Sequence, residues 1–211
     1  HTKRFGNTLI TFKSSNTKSI KENLEHYLTF KDREEVKKTI NSNNSVKHQL
    51  SNLSLISSEE DLEKIVSLKK IHWDYPIEEH KNWIYNNIKK DDIHVLMLEN
   101  EALVGYMNLI QTEVVLNDET QPFLGIGNVC SLKKGLGYGR ELLIGVQKYL
   151  LKNNYKGILF CKDKLVDFYT KFEWTLIDDN KIISKNYKNV NIMFYNVDTN
   201  LNCVEYEGRN F

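Results

Sequence analysis

The chain has 211 residues, of which 40% are hydrophobic, 27% charged and 11% aromatic, and a formal net charge of +1. That composition suits one globular domain with a proper core, or a domain plus an extension. The balanced charge calls for neither nucleic acid nor an anionic membrane as partner, and no apolar run approaches the roughly 18 residues of a membrane span.

Residues 1–50 are polar and rich in Lys, Asn and Ser, and are expected to form an N-terminal extension. A short strand is predicted over 7–12. A helix is predicted over 19–30, from Ile20, Leu24, Tyr27 and Leu28 at helical spacing behind Ser19, and a second over 32–40. The run 41–45, Asn-Ser-Asn-Asn-Ser, is expected to be a linker. The apolar positions Leu24, Tyr27, Leu28, Val36 and Ile40 are too many for a free tail, so this extension is expected to pack on the domain, on a second subunit of a homodimer or over a pocket.

From 51 to 211 the pattern alternates between strands and helices. A strand is expected over 53–56. A helix follows to about His72, capped by Ser58 with Glu59, Glu60 and Asp61 in its first turn, and a second opens at Pro76 and runs to about Ile88. Strands over 94–99 and 102–115 read as a hairpin. A central strand over 123–130 leads into a helix over 137–153, whose Leu142, Leu143, Val146, Tyr149 and Leu150 share one face. A short strand over 157–160, a helix over 164–172 and strands over 174–177 and 191–197 complete the order. The fold class is α/β with a mixed sheet.

Cys130, Cys161 and Cys203 are odd in number and widely spaced, which argues against a disulfide framework and fits a reducing, cytoplasmic setting. His72, His80 and His94 show no metal-ligand spacing and are expected on loops or the surface, so no metal site is expected. Cys161 has no matching His and Asp that would make it a nucleophile, and reads as a half-buried structural thiol.

The turn Lys134-Gly135-Leu136-Gly137-Tyr138-Gly139-Arg140, between strand and helix, carries the functional signal. Its glycines clear Cβ atoms from the backbone, and the free amides of a helix N-terminus, aided by the dipole, bind phosphate. A Walker-type lysine motif is absent, and the G-x-G-x-G spacing is not that of a dinucleotide fold.

The stretch 129–143, Val-Cys-Ser-Leu-Lys-Lys-Gly-Leu-Gly-Tyr-Gly-Arg-Glu-Leu-Leu, resembles the acyl-CoA motif of the GCN5-related N-acetyltransferase superfamily, V-x-P-x-x-[RQ]-x-x-G-x-[GA]-x-x-L-L. Val129, Gly137, Gly139, Leu142 and Leu143 match in register, while Ser131 replaces the proline and Lys134 the Arg or Gln. Lysine still meets a pyrophosphate as a point charge. Further on, Phe168-Tyr169 and Trp174 resemble the family's F-Y-x-k-x-G-[FW] segment, with Glu173 in place of the glycine. The layout from Asp91 onward looks somewhat like the aminoglycoside 2'-N-acetyltransferases.

The resemblance implies an acetyl-CoA-dependent N-acetyltransferase that acts by direct attack of a small-molecule amine, an amino sugar being one option, on the thioester. It implies pyrophosphate on the amides of Lys134, Gly135, Leu136, Gly137, Tyr138, Gly139 and Arg140. Pantetheine would lie along Asn128, Val129 and Ser131 as an added strand, and Tyr169 would be the general acid. Acceptor specificity is expected around Trp73, Asp74 and Tyr75. The central strand has Gly125, Gly127 and Asn128 where many relatives place a glutamate. The base stays open among Glu113, Asp74, Glu205, Glu207 and a water chain. A non-catalytic acyl-CoA-binding module, with a partner-binding N-terminal segment, is the alternative.

Overall fold

In the computed structural model the described residues are 8–13, 51–53, 59–100, 102–183, 187, 190–198 and 200–211. The helices expected over 19–30 and 32–40, the linker over 41–45 and the cap Ser58 lie outside them. Among them, nine strands and four α-helices form one mixed α/β layer system, as the alternating pattern leads one to expect.

Strands β1 (Thr8–Lys13) and β2 (Ser51–Leu53) are followed by helices α1 (Glu59–Lys70) and α2 (Ile77–Asn87). Then come β3 (Ile93–Glu99), β4 (Ala102–Leu116), β5 (Glu119–Ser131), α3 (Tyr138–Lys152), β6 (Lys156–Cys161), α4 (Asp163–Thr170), β7 (Thr175–Leu176), β8 (Asn191–Tyr195) and β9 (Val204–Glu205). The sheet order is β2-β1-β3-β4-β5-β6-β8-β7, with β9 paired to β4. Thus β1, from the first fifty residues, pairs in parallel with β3.

Several boundaries differ from the sequence reading. The first helix stops at Lys70 rather than His72, in a turn where the His72 and Trp73 amides still reach back to the Lys69 carbonyl. Of the strand expected over 53–56, Leu53 lies in β2 (Ser51–Leu53), and 54–56 fall outside the described residues. The central strand is longer than 123–130, because it is one arm of a second hairpin. Asn117 and Asp118, at φ 49 and 68, form a two-residue turn of the kind that matches strand twist. The last strands shrink to Thr175–Leu176 and Asn191–Tyr195.

The sheet is covered on both faces. One face carries α3 and α4: Leu142, Leu143, Val146, Leu150 and Tyr169 pack with Met107, Leu109, Leu124, Ile126, Leu159 and Trp174. On the other, α1 and α2 bury Leu62, Ile65, Val66 and Ile84 against Leu96, Tyr106 and Cys130. A third cluster joins Phe123, Ile158 and Phe194 to Val204 and Tyr206 from the end of the chain. His80 and His94 are buried rather than on the surface, which corrects the sequence expectation. Each ring nitrogen that bonds has a local oxygen: the Trp73 carbonyl for His80 and the Tyr106 hydroxyl for His94.

Candidate acyl-CoA site

The two parallel strands at the sheet centre pair only over part of their length. Phe123↔Lys156, Leu124↔Gly157, Gly125↔Ile158 and Ile126↔Leu159 are Cα partners, and beyond them β5 and β6 have no mutual register. β5 runs on to Ser131 and β6 to Cys161. An unpaired strand edge offers amide and carbonyl groups to an extended ligand.

A β-bulge lies just past the point of parting. Tyr106↔Cys130 and Asn108↔Gly127 are partners, so Asn128 and Val129 together face Met107. Asn128 has φ 52, the left-handed region, and its side-chain amide donates to Asn108 Oδ1 at 2.6 Å. Bulges re-aim backbone groups at the ends of pairing. Asn128, Val129 and Ser131, expected to meet pantetheine, are therefore all on the unpaired stretch.

Ser131 is engaged within the chain. Leu132 donates to the Val104 carbonyl, and Ser131 pairs with Gly105 in the same ladder, which turns the Ser131 backbone groups away from β4. There the ring of His72, from the α1–α2 connection, sets Nε2 2.6 Å from the Ser131 oxygen and 3.3 Å from its nitrogen. Nothing in the sequence marked His72 for this.

After Ser131 the chain turns into α3. Gly135 and Gly137 both have φ 84, a conformation open to glycine and strained for other residues. A Cβ added at Gly135, Gly137 or Gly139 would meet nothing within 4 Å. The first bond of the helix runs from Glu141 N to Gly137 O at 3.0 Å, so the amides of Tyr138, Gly139 and Arg140 have no helical carbonyl to meet. Lys133 and Lys134 are exposed beside them. The Arg140 guanidinium lies 6.0 Å from the Phe172 ring centre, and its Nε has no partner. Tyr138 turns its hydroxyl to Glu99, at 2.7 Å. Open space over bare backbone, free amides and adjacent cations fit a pyrophosphate.

Tyr169 lies on α4, 7% exposed, its ring edge-on to Phe168 and Trp174. Burial, with a smaller contribution from Cys161, pushes its hydroxyl up to about 12. The phenol is therefore protonated at neutral pH and has a proton to give. Cys161, at the end of β6, is buried with its thiol 3.7 Å from Met193 Sδ, and burial raises it. A raised thiol suits structure rather than nucleophilic attack.

On the face opposite α3 the alternation of β4 and β5 places Asn108, Ile110 and Thr112 beside Gly127, Gly125 and Phe123. His94 is the cross-strand partner of Asn108, which sets His94, Asn108 and Gly127 in one row across the sheet. His94 Nε2 and Asn108 Nδ2 are buried without a hydrogen-bond partner. Burial lowers the His94 imidazole to about 4, so it is neutral at physiological pH.

The expected acceptor residues scatter. Trp73 is half-buried, with its carbonyl bonded to His80 Nε2 at 3.0 Å, while Asp74 and Tyr75 are exposed on the same connection. Glu113 is exposed opposite Pro122, roughly 17 Å along the strand from Asn108. Glu205 and Glu207 are also exposed. Sequence reasoning missed Asp92, which is buried and accepts from the amides of Lys89 and Gln111 and from the Arg209 guanidinium.

No family model matches the chain, and no curated protein matches it. Solved structures do resemble it. A GNAT family N-acetyltransferase from Escherichia coli in complex with CoA is 14% identical, over 71% of this chain and 86% of that one, with a TM-score of 0.48. An aminoglycoside 6'-N-acetyltransferase from Enterococcus faecium is 12% identical over 65% and 90%, with a TM-score of 0.46. A probable N-acyltransferase from Enterococcus faecalis is 17% identical over 56% of this chain and 30% of its own length, with a TM-score of 0.45.

Proposed function

We propose that this chain is an acyl-CoA-dependent N-acyltransferase, with acetyl-CoA as donor and a small primary amine as acceptor. The observation that carries the reading is the parting of β5 from β6 at Ile126 and Leu159, directly before a bulge and an open glycine turn at the start of α3. One ligand shape suits all three: an extended amide-bearing arm ending in a pyrophosphate.

Each part of the site then has a task. The amides of 134–140, with Lys133 and Lys134, hold the pyrophosphate. The unpaired edge of β5 holds the arm, and this requires the His72 ring to leave Ser131. An amide at the Asn128–Val129 bulge polarises the thioester carbonyl. Attack by the neutral amine forms the C–N bond and breaks the C–S bond, and Tyr169 delivers a proton to the departing thiolate. The amine's own proton leaves through water, since the described carboxylates at 74, 113, 205 and 207 are all on the surface. Amino sugars, the 2'-amine of aminoglycosides included, are the first acceptors to try.

The test is binding followed by turnover. Acetyl-CoA is expected to raise the melting temperature, and thiol release to appear with at least one member of an amine panel. Binding without turnover on any amine would leave an acyl-CoA-binding module, and no binding would sink the reading altogether.

A further inference from the structure

Gly125 and Gly127 lie on the acceptor-side face of β5, and the space above them is filled by the chain itself. A Cβ on Gly125 would run into the Phe211 ring, and one on Gly127 into the Phe211 main chain. The segment that brings Phe211 there is fastened at each step. The Tyr206 hydroxyl, 3.0 Å from Thr112 Oγ1, donates to the Arg209 carbonyl at 2.6 Å. The Tyr187 hydroxyl donates to the Gly208 carbonyl at 2.9 Å. Both terminal nitrogens of Arg209 meet the buried Asp92 carboxylate, at 2.8 and 2.7 Å, and also donate to the carbonyls of Asn87 and Gln111. The Phe211 ring stacks on Phe160 of β6 at 4.7 Å and 15°.

The segment therefore crosses from β4 over β5 to β6 on the face opposite α3. It brings the Phe211 main chain beside Gly127, one residue from the bulge at Asn128. Two glycines in mid-strand weaken a strand unless a backbone must approach closely, and here one does. Where a side chain on the central strand would stand, this chain carries Phe211.

We propose that residues 208–211 are the acceptor-side wall of the reaction site. They confine acceptors to small primary amines and exclude polypeptides, because this segment already covers the face of β4 and β5 around Gln111, Thr112, Gly125 and Gly127. This rests on the acyltransferase reading above. The wall also keeps water from the thioester.

The test compares the full chain with a variant ending at Glu207. The readouts are acetyl-CoA affinity by calorimetry, thiol release from acetyl-CoA without amine, and the kcat/KM ratio of a lysine-containing hexapeptide to glucosamine. Removal is expected to leave acetyl-CoA affinity within about twofold, since the turn at α3 is untouched, while amine-free thiol release and the peptide ratio each rise about tenfold. If the truncated chain does not fold, Phe211→Ala keeps the Arg209–Asp92 pair and is read in the same way. Unchanged thiol release and ratio, or a full chain that takes the peptide as readily as glucosamine, would overturn the wall. A full chain that binds no acetyl-CoA would instead sink the acyltransferase reading.

Discussion

Two glycine clusters flank the proposed reaction site and differ in what fills the space above them. Above Gly135, Gly137 and Gly139 there is open space, whereas above Gly125 and Gly127 there is Phe211. In the turn, missing side chains leave backbone amides free for something outside the chain. In the strand, they admit another part of the chain. A glycine pattern by itself does not separate the two uses; what fills the place of the absent Cβ does.

The sharpest way to break this contrast is to add one methyl group to each cluster. Gly127→Ala forces a Cβ into the Phe211 main chain, and expelling or shifting that segment is expected to cost about 3 kcal/mol of stability. Gly139→Ala meets nothing within 4 Å and is not in the left-handed region, so it is expected to be neutral or stabilising by up to about 1 kcal/mol. Denaturant unfolding of both variants decides it: equal losses would erase the distinction between a filled and an open cluster.

A second experiment tests the proposed proton donor. Tyr169→Phe keeps the ring against Phe168 and Trp174 and removes the proton. Turnover is expected to fall roughly 10²-fold, about 2.7 kcal/mol, with acetyl-CoA affinity unchanged. Wild-type turnover with chemistry rate-limiting would make Tyr169 a packing residue.

A third probes the face of the sheet opposite α3 through pH. Burial holds His94 at about 4 in the fold, against its usual 6.5, so between those values the unfolded chain binds more protons. Stability is then fully present above pH 6.5 and is lost as pH falls toward 4, with a slope approaching about 1.4 kcal/mol per pH unit. His94→Gln is expected to flatten that slope. An equally steep acid limb in the variant would show that the imidazole is not the group responsible.

How much of this could be read from the sequence depended on distance along the chain. The turn at Lys134–Arg140 was legible because a glycine-rich turn and an amphipathic helix are local signals, and α3 lies close to where its apolar spacing put it. The second hairpin was not, since its Asn117-Asp118 turn lacks the glycine that marks such turns most strongly. The face of the sheet opposite α3 was least legible of all. Gly125 and Gly127 read as a missing carboxylate, because Phe211, which occupies their space, is more than eighty positions further on. Asp92 carries no local sign of the Arg209 guanidinium that meets it from the far end of the chain. His94 read as a loop or surface histidine because a single polar residue in an apolar strand carries no sign of the Tyr106 hydroxyl on the next strand.

The central claim, that the open turn at α3 binds the pyrophosphate of an acyl-CoA, is tested most directly by calorimetric titration of acetyl-CoA into wild type and Gly139→Asp. The substitution places a carboxylate in open space, at a helix N-terminus where an acid favours the fold, so the melting temperature is expected to hold or rise. One-site binding by wild type and a loss of more than about tenfold, about 1.4 kcal/mol, in the variant is the predicted result. Equal affinity in the two proteins would contradict it.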